Sequence, residues 1–254
     1  MVFLFKLMVP PLLVAGMSLA ARRWGPTFGG LIMGLPWMTG PVLLFLALDK
    51  GIPFTLGACI GIEFGVVALG GYILAYAFVS RHAPWYLTLP PAAAAFFAIG
   101  VLIKDIAVPL WAAALAALCT LALVFVLLPR PASRTGPRAL PSWDIYARMA
   151  ATFCLVAVIM LSADVLGPRM SGIVSTFPVV LTVIGTFTHH QWGADAVLSI
   201  LRGIVLSLGS FVAFFFVLGS VIPYAGVAGA FLLATVTAVT MSAMLLIWNR
   251  MRSR

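Results

Sequence analysis

Charge is what this sequence lacks most. Of 254 residues only 8% are charged, with 6 Asp plus Glu against 15 Lys plus Arg. Soluble domains carry about a quarter charged residues, so an ordinary solvated globular domain is excluded. Three histidines and six carboxylates give little material for a hydrolase or metalloenzyme. No serine nucleophile elbow, HExxH, P-loop or GxGxxG stands in a usable context, so the chain reads as neither an enzyme nor an ATP-driven pump, and it calls for no cofactor. The three cysteines, Cys59, Cys119 and Cys154, sit inside apolar runs without ligand spacing. They are expected to be small buried hydrophobes, with neither a disulfide nor a metal.

Apolar sequence is what is abundant, at 63% of residues and a mean hydropathy of +1.17. Runs of spanning length occur at Val2–Ala21, Phe28–Leu48, Pro53–Val79, Trp85–Ile103 and Ile106–Leu128, then Ile145–Leu166, Ser171–Thr188, Ala194–Ile222 and Val227–Trp248. The predicted fold is therefore an all-α polytopic integral membrane protein of about nine helices. Pro90-Pro91 shorten the Trp85–Ile103 run, and its loss would leave eight. The first run is too long for a signal peptide and is followed by Arg22-Arg23, so it reads as a retained helix.

The formal charge of +9 belongs to topology, because the basic residues are scattered among connections and form no groove with interleaved aromatics; nucleic acid is not an expected partner. With the N-terminus outside, the cytoplasmic side collects Arg22, Arg23, Arg81, Arg130, Arg134, Arg138, Arg148, Arg250, Arg252 and Arg254. The other side keeps Lys6, Lys50, Lys104 and Arg169, and the C-terminus is cytoplasmic. The stretch Pro129 to Asp144 is rich in Pro, Ser and Arg and reads as a flexible linker. It divides the chain into residues 1–128, a first membrane repeat with one extra helix, a basic cytoplasmic linker at 129–144, and a second repeat at 145–254.

The two parts are related. Laying Lys6–Gly65 over Arg148–Ser207, at an offset of 142, gives 14 identities in 60 positions without a gap. Six are glycine or proline: Gly25/Gly167, Pro26/Pro168, Gly30/Gly172, Pro36/Pro178, Gly51/Gly193 and Gly61/Gly203. These residues constrain the backbone itself, so their coincidence implies a shared path through space. Five predicted helices separate equivalent positions, an odd number, so the repeat is inverted. Secondary transporters are commonly built this way, with broken helices around a midplane site. A duplicated bundle with a purely structural role is the alternative.

Pro36 and Pro178 each lie about 9 residues into a predicted helix, or ~13–14 Å deep at 1.5 Å per residue. A helix broken at both prolines would free backbone groups near the midplane, and Thr39, Ser175, Thr176 and Thr182 would add hydroxyl ligands; a plain proline kink is the structural alternative. Glu63, about 11 residues into its helix and ringed by apolar neighbours, is a functional candidate because intramembrane carboxylates are costly. Arg202 falls at a similar counted depth on another helix, so a Glu63–Arg202 ion pair is expected, either as a proton-exchanging site or as a packing clamp. Asp164 is expected to snorkel or pair with Arg169, and Lys6 and Arg148 to act as interfacial anchors. His189-His190 with Asp195 reads as a polar connection, or as a gate, pH sensor or weak metal site.

The stretch Leu19–Gly51 resembles small bacterial inner-membrane proteins of the GlpM-like type, which are about half this length. The shared feature is a G-L-x-x-x-P run, seen as Gly30-Leu31 before Pro36 and as Gly172-Ile173 before Pro178. The resemblance implies a fused pair of units that assemble as antiparallel dimers in shorter proteins, and it brings no substrate or catalytic residue. The leading expectation is a multi-pass secondary transporter of the bacterial inner membrane, proton- or ion-coupled, acting on a small-molecule or ion substrate, with homo-oligomerisation left open. A non-transporting scaffold or accessory in envelope polymer or lipid metabolism is the alternative; a lipid-modifying enzyme lacks the clustered acid and base groups.

Overall fold

A computed structural model describes residues 2–24, 36, 39–132, 143–157 and 177–252. Every regular element among them is helical, as backbone burial in a bilayer requires. In chain order these are α1 (Val2–Trp24), α2 (Thr39–Val79), α3 (Trp85–Ile103), α4 (Leu110–Leu127), α5 (residues 144–157), α6 (Val179–Trp192) and α7 (Ala194–Arg252). Four stretches among the described residues are long and apolar enough to cross a membrane: Ala47–Val79, α3, α4 and Ala194–Leu245. The chain is a helical membrane protein.

Two helices are too long for one crossing, and both are interrupted at a glycine. Gly51 in α2 (φ 81°, ψ −179°) and Gly226 in α7 (φ 67°, ψ −178°) occupy a conformation open essentially to glycine alone. At Gly226 the chain folds back, because Ser242 Oγ donates to Ser210 Oγ at 2.9 Å and Phe231 meets Phe214 with ring centroids 6.2 Å apart. Around Gly51 the chain likewise returns to the same stretch of α7. A methyl at Gly40 would lie 3.5 Å from Phe214, and one at Gly219 only 3.3 Å from Cys59. Thr55 holds the first turn after the break by donating to the Gly51 carbonyl at 3.0 Å.

The predicted run Trp85–Ile103 is helical throughout. Pro90 and Pro91 lie in its first two turns, so they withdraw hydrogen bonds only from Tyr86 and Leu87 near its start. It packs against α2 through Gly71, and α4 packs against α2 through Gly70. Thr120 cannot easily yield to a side chain at position 70, since its hydroxyl is fixed on the Ala116 carbonyl at 2.8 Å and Val124 closes the other side. Such close backbone approach through small residues replaces the hydrophobic drive that lipid removes. Gly70→Val is therefore expected to destabilise the bundle by about 1–3 kcal/mol by overpacking, visible as a lower thermal midpoint in detergent.

Directions follow from contacts. Leu110 of α4 sits by Gly219 and Cys59, and Thr120 by Gly70, so α4 and the longer arm of α2 run parallel. Leu128 at the far end of α4 meets Arg202, so α7 runs antiparallel to both. Tyr72 meets Thr182 and Tyr76 meets His189, so α6 runs parallel to α2.

Candidate functional site

Both prolines singled out above mark the start of a short helix. Pro178 is non-helical (φ −79°, ψ 66°) and its carbonyl accepts the Thr182 N–H at 2.8 Å. Pro36 lies outside any helix and its carbonyl accepts the Gly40 N–H at 3.0 Å. A missing amide hydrogen costs nothing at a helix start, which is why proline suits these positions. The helices that follow are brief. The first arm of α2 ends at Gly51 and α6 ends at Gly193, which has φ 82° and ψ −179°, nearly the values at Gly51. At 14 residues α6 is ~21 Å long, short of a ~30 Å hydrocarbon core.

Phe177, just before Pro178, fixes the entrance to α6. Its ring stacks on Phe97 at 5.5 Å and meets Phe96 and Tyr72 edge-on at 5.5 and 6.0 Å. From there a seam of polar groups runs between α2 and α6. Tyr72 Oη and Thr182 Oγ1 are hydrogen-bonded at 2.9 Å, both buried. Thr186, one turn on, donates to the Thr182 carbonyl and lies beside the Tyr76 hydroxyl, which makes no hydrogen bond of ordinary geometry among the described residues. The Tyr76 ring meets His189 at 6.0 Å, and Ser80 lies against His189 at the end of the seam.

Thr182 is thus brought into a polar setting, and Thr39, half-buried, opens α2. Ser175, Thr176, Asp164 and Arg169 lie outside the described residues, as do the side chains of Lys6 and Arg22. Sequence reasoning missed Tyr72 and Tyr76, although two tyrosines four residues apart in an apolar helix were a readable signal. His189 is no loop residue: it is buried in the last turn of α6, while His190 is exposed.

The expected Glu63–Arg202 ion pair does not form. Glu63 is fully buried and neither carboxylate oxygen has a hydrogen-bond partner among the described residues. Arg202 instead donates from Nη1 to the Leu128 carbonyl at 2.9 Å and lies over the Phe125 ring at 4.8 Å, capping the end of α4. Counting depth from helix ends misled, because α2 extends beyond α4. Cys59, one turn before Glu63, is level with Leu110 where α4 begins, whereas Arg202 is level with Leu128 where it has ended. The two charges are near opposite ends of an 18-residue helix, itself ~27 Å long.

Arg148 also departs from expectation. It is 2% exposed rather than interfacial, and Asp144, expected to close a flexible linker, is fully buried beside it. Arg148 Nε donates to Asp144 at 2.9 Å and Nη2 to Gln191 at 2.7 Å, Gln191 donates back to Asp144, and the guanidinium lies over Phe187. Fork geometry and closed hydrogen bonding let this pair be buried where a lone cation could not be. It fastens α5 to α6. Cys119 and Cys154 are exposed, not buried, because an apolar run in a membrane helix presents some of its faces outward to lipid.

The chain matches no protein-family model, no curated protein and no solved structure.

Proposed function

We propose that the chain is a secondary transporter of a small solute, coupled to a proton or another ion, built from two inverted halves with the site between the short helices that start at Pro36 and Pro178. The observation that carries this reading is a set of matched contacts at the 142-residue offset. Pro36 accepts from Gly40 as Pro178 accepts from Thr182, and the short helices end at Gly51 and Gly193 in one backbone conformation. Tyr72 rests on Thr182, and its counterpart Phe214 rests on Gly40. Each half thus lends a long helix to the other half's short one, the exchange expected of a pseudo-two-fold axis in the membrane plane. Short helices starting inside a bilayer leave amides without helical partners, and such breaks are tolerated where they line a cavity.

Glu63 completes the reading. A carboxylate at a helix centre costs about 2.5–3.5 kcal/mol on insertion scales, and this one has no partner among the described residues to offset it. Taking up a proton removes that cost, which makes Glu63 the candidate coupling group. Arg202 stands too far away to serve it. The nine-helix count, the external N-terminus, the bacterial inner membrane and the likeness to GlpM-like proteins as a fused pair belong to the same proposal. The scaffold reading gains nothing specific from the structure. Single cysteines at Thr39 and Ser175 test the proposal: both should react with aqueous reagents in at least one condition, and silence of both in every condition would end the transport reading.

A further inference from the structure

The two matched interfaces share a path but not a chemistry. At the same offset Tyr72 and Tyr76 correspond to Phe214 and Leu218, Thr182 and Thr186 to Gly40 and Leu44, His189 to Ala47 and Ser80 to Ile222. One interface is a ladder of hydroxyls ending in an imidazole, and its counterpart is apolar throughout. The apolar version packs well, with Ala47, Phe214, Leu218 and Ile222 all at 3% exposure or less and Leu44, like its counterpart Thr186, half-buried. Helix association along this path therefore needs no polar atom.

The polar ladder is also incompletely satisfied. Tyr76 Oη, His189 Nδ1 and Trp192 Nε1 are buried and make no hydrogen bond of ordinary geometry among the described residues, on residues 1%, 9% and 9% exposed. His189 and Trp192 lie one turn apart on α6, so the orphaned groups cluster at one end of the seam. Unpaired buried donors are costly, and polar cavities hold water where apolar ones stay dry. No fixed charge among the described residues belongs to the ladder: Tyr72 and Tyr76 face it from α2 and Ser80 from just past its end, Thr182, Thr186 and His189 from α6, and Phe96 and Phe177 close its start. The charges packed on α6, Arg148 and Asp144, bond each other and Gln191.

We propose that this ladder is the hydrated path by which an uncharged, hydroxyl-bearing solute reaches the start of α6, while the apolar counterpart is the dry, sealed interface. The proposal rests on the transport reading and adds to it the class of the solute. Neutral hydroxyls both donate and accept, so they match water and alcohol groups and offer no counter-charge to an ion.

The test uses full-length protein in vesicles, with Cys59, Cys119 and Cys154 replaced by Ala and single cysteines placed at Thr186 and His189 or at their counterparts Leu44 and Ala47. Methyl methanethiosulfonate is the neutral probe and its sulfonatoethyl analogue the anionic one. T186C should react with the neutral probe about tenfold faster than L44C, and about tenfold faster than with the anionic probe, since only a hydrated thiol ionises and reacts. H189C against A47C repeats the comparison should either variant at the first pair fail to elute as a single species. Equal rates at the matched positions would overturn the path, and equal rates with both probes would overturn its selectivity for uncharged solutes. If the ladder is silent while T39C and S175C react, the path is wrong and the transport reading stands; if all are silent, both fall.

Discussion

Glu63→Gln is expected to insert and fold like the parent chain while reducing proton-driven uptake or efflux in vesicles by at least about tenfold, the scale of losing one essential proton-exchanging group. The amide keeps the volume of the carboxyl in a fully buried position but cannot take up or release a proton. Because neither oxygen of Glu63 has a partner among the described residues, no ion pair among them is broken and no opposite charge is stranded, so a stability loss should not mask the result. Unchanged coupled transport in the folded variant would remove Glu63 from the mechanism. Had the pair with Arg202 formed, the same substitution would have left a buried guanidinium uncompensated.

Arg148→Ala should have the opposite signature, a large stability loss of about 3–5 kcal/mol, because it leaves Asp144 buried beside Gln191 without its cation. The fastening of α5 to α6 goes with it. Replacing Asp144, Arg148 and Gln191 together by apolar residues of similar volume should restore most of the loss, since neither charge of the pair then stays buried without the other. Thermal unfolding in detergent separates the cases. A single variant as stable as the parent would show that the trio contributes nothing net to the fold.

How much of this was legible in the sequence depends on the kind of information each residue carries. Among the described residues several helix positions came through because spanning length and apolar content are set by the bilayer: Trp85–Ile103 appears with the bounds read from sequence, and the chain reverses near Gly51 and Gly226, between the predicted runs. The helix expected at Ser171–Thr188, by contrast, starts only at Val179 and continues to Trp192, and parts of the Phe28–Leu48, Ile145–Leu166 and Ser171–Thr188 runs lie outside the described residues. The backbone roles of Pro36 and Pro178 were also readable, since proline acts locally. Side-chain partners were not. Glu63 and Arg202 looked level only because depth was counted from helix ends, and no sequence pattern reveals that α2 overshoots α4. Asp144 and Arg148 looked like linker and anchor because their partner Gln191 is supplied by another helix. The Tyr72–Thr182 contact joins residues 110 apart, and its proposed counterpart at Phe214 and Gly40 emerges only when the offset of 142 is applied to contacts instead of letters.

The central claim, that the halves are opposed across the membrane, makes a direct demand on two exposed positions near the ends of the short helices. Lys50 lies just before Gly51, and His190 lies three residues before Gly193. Single cysteines there, labelled with a membrane-impermeant reagent in sealed cells and then in inverted vesicles, report which side each helix end faces. The account predicts that Lys50→Cys reacts only from outside and His190→Cys only from the cytoplasmic side; reaction of both from the same side would contradict it.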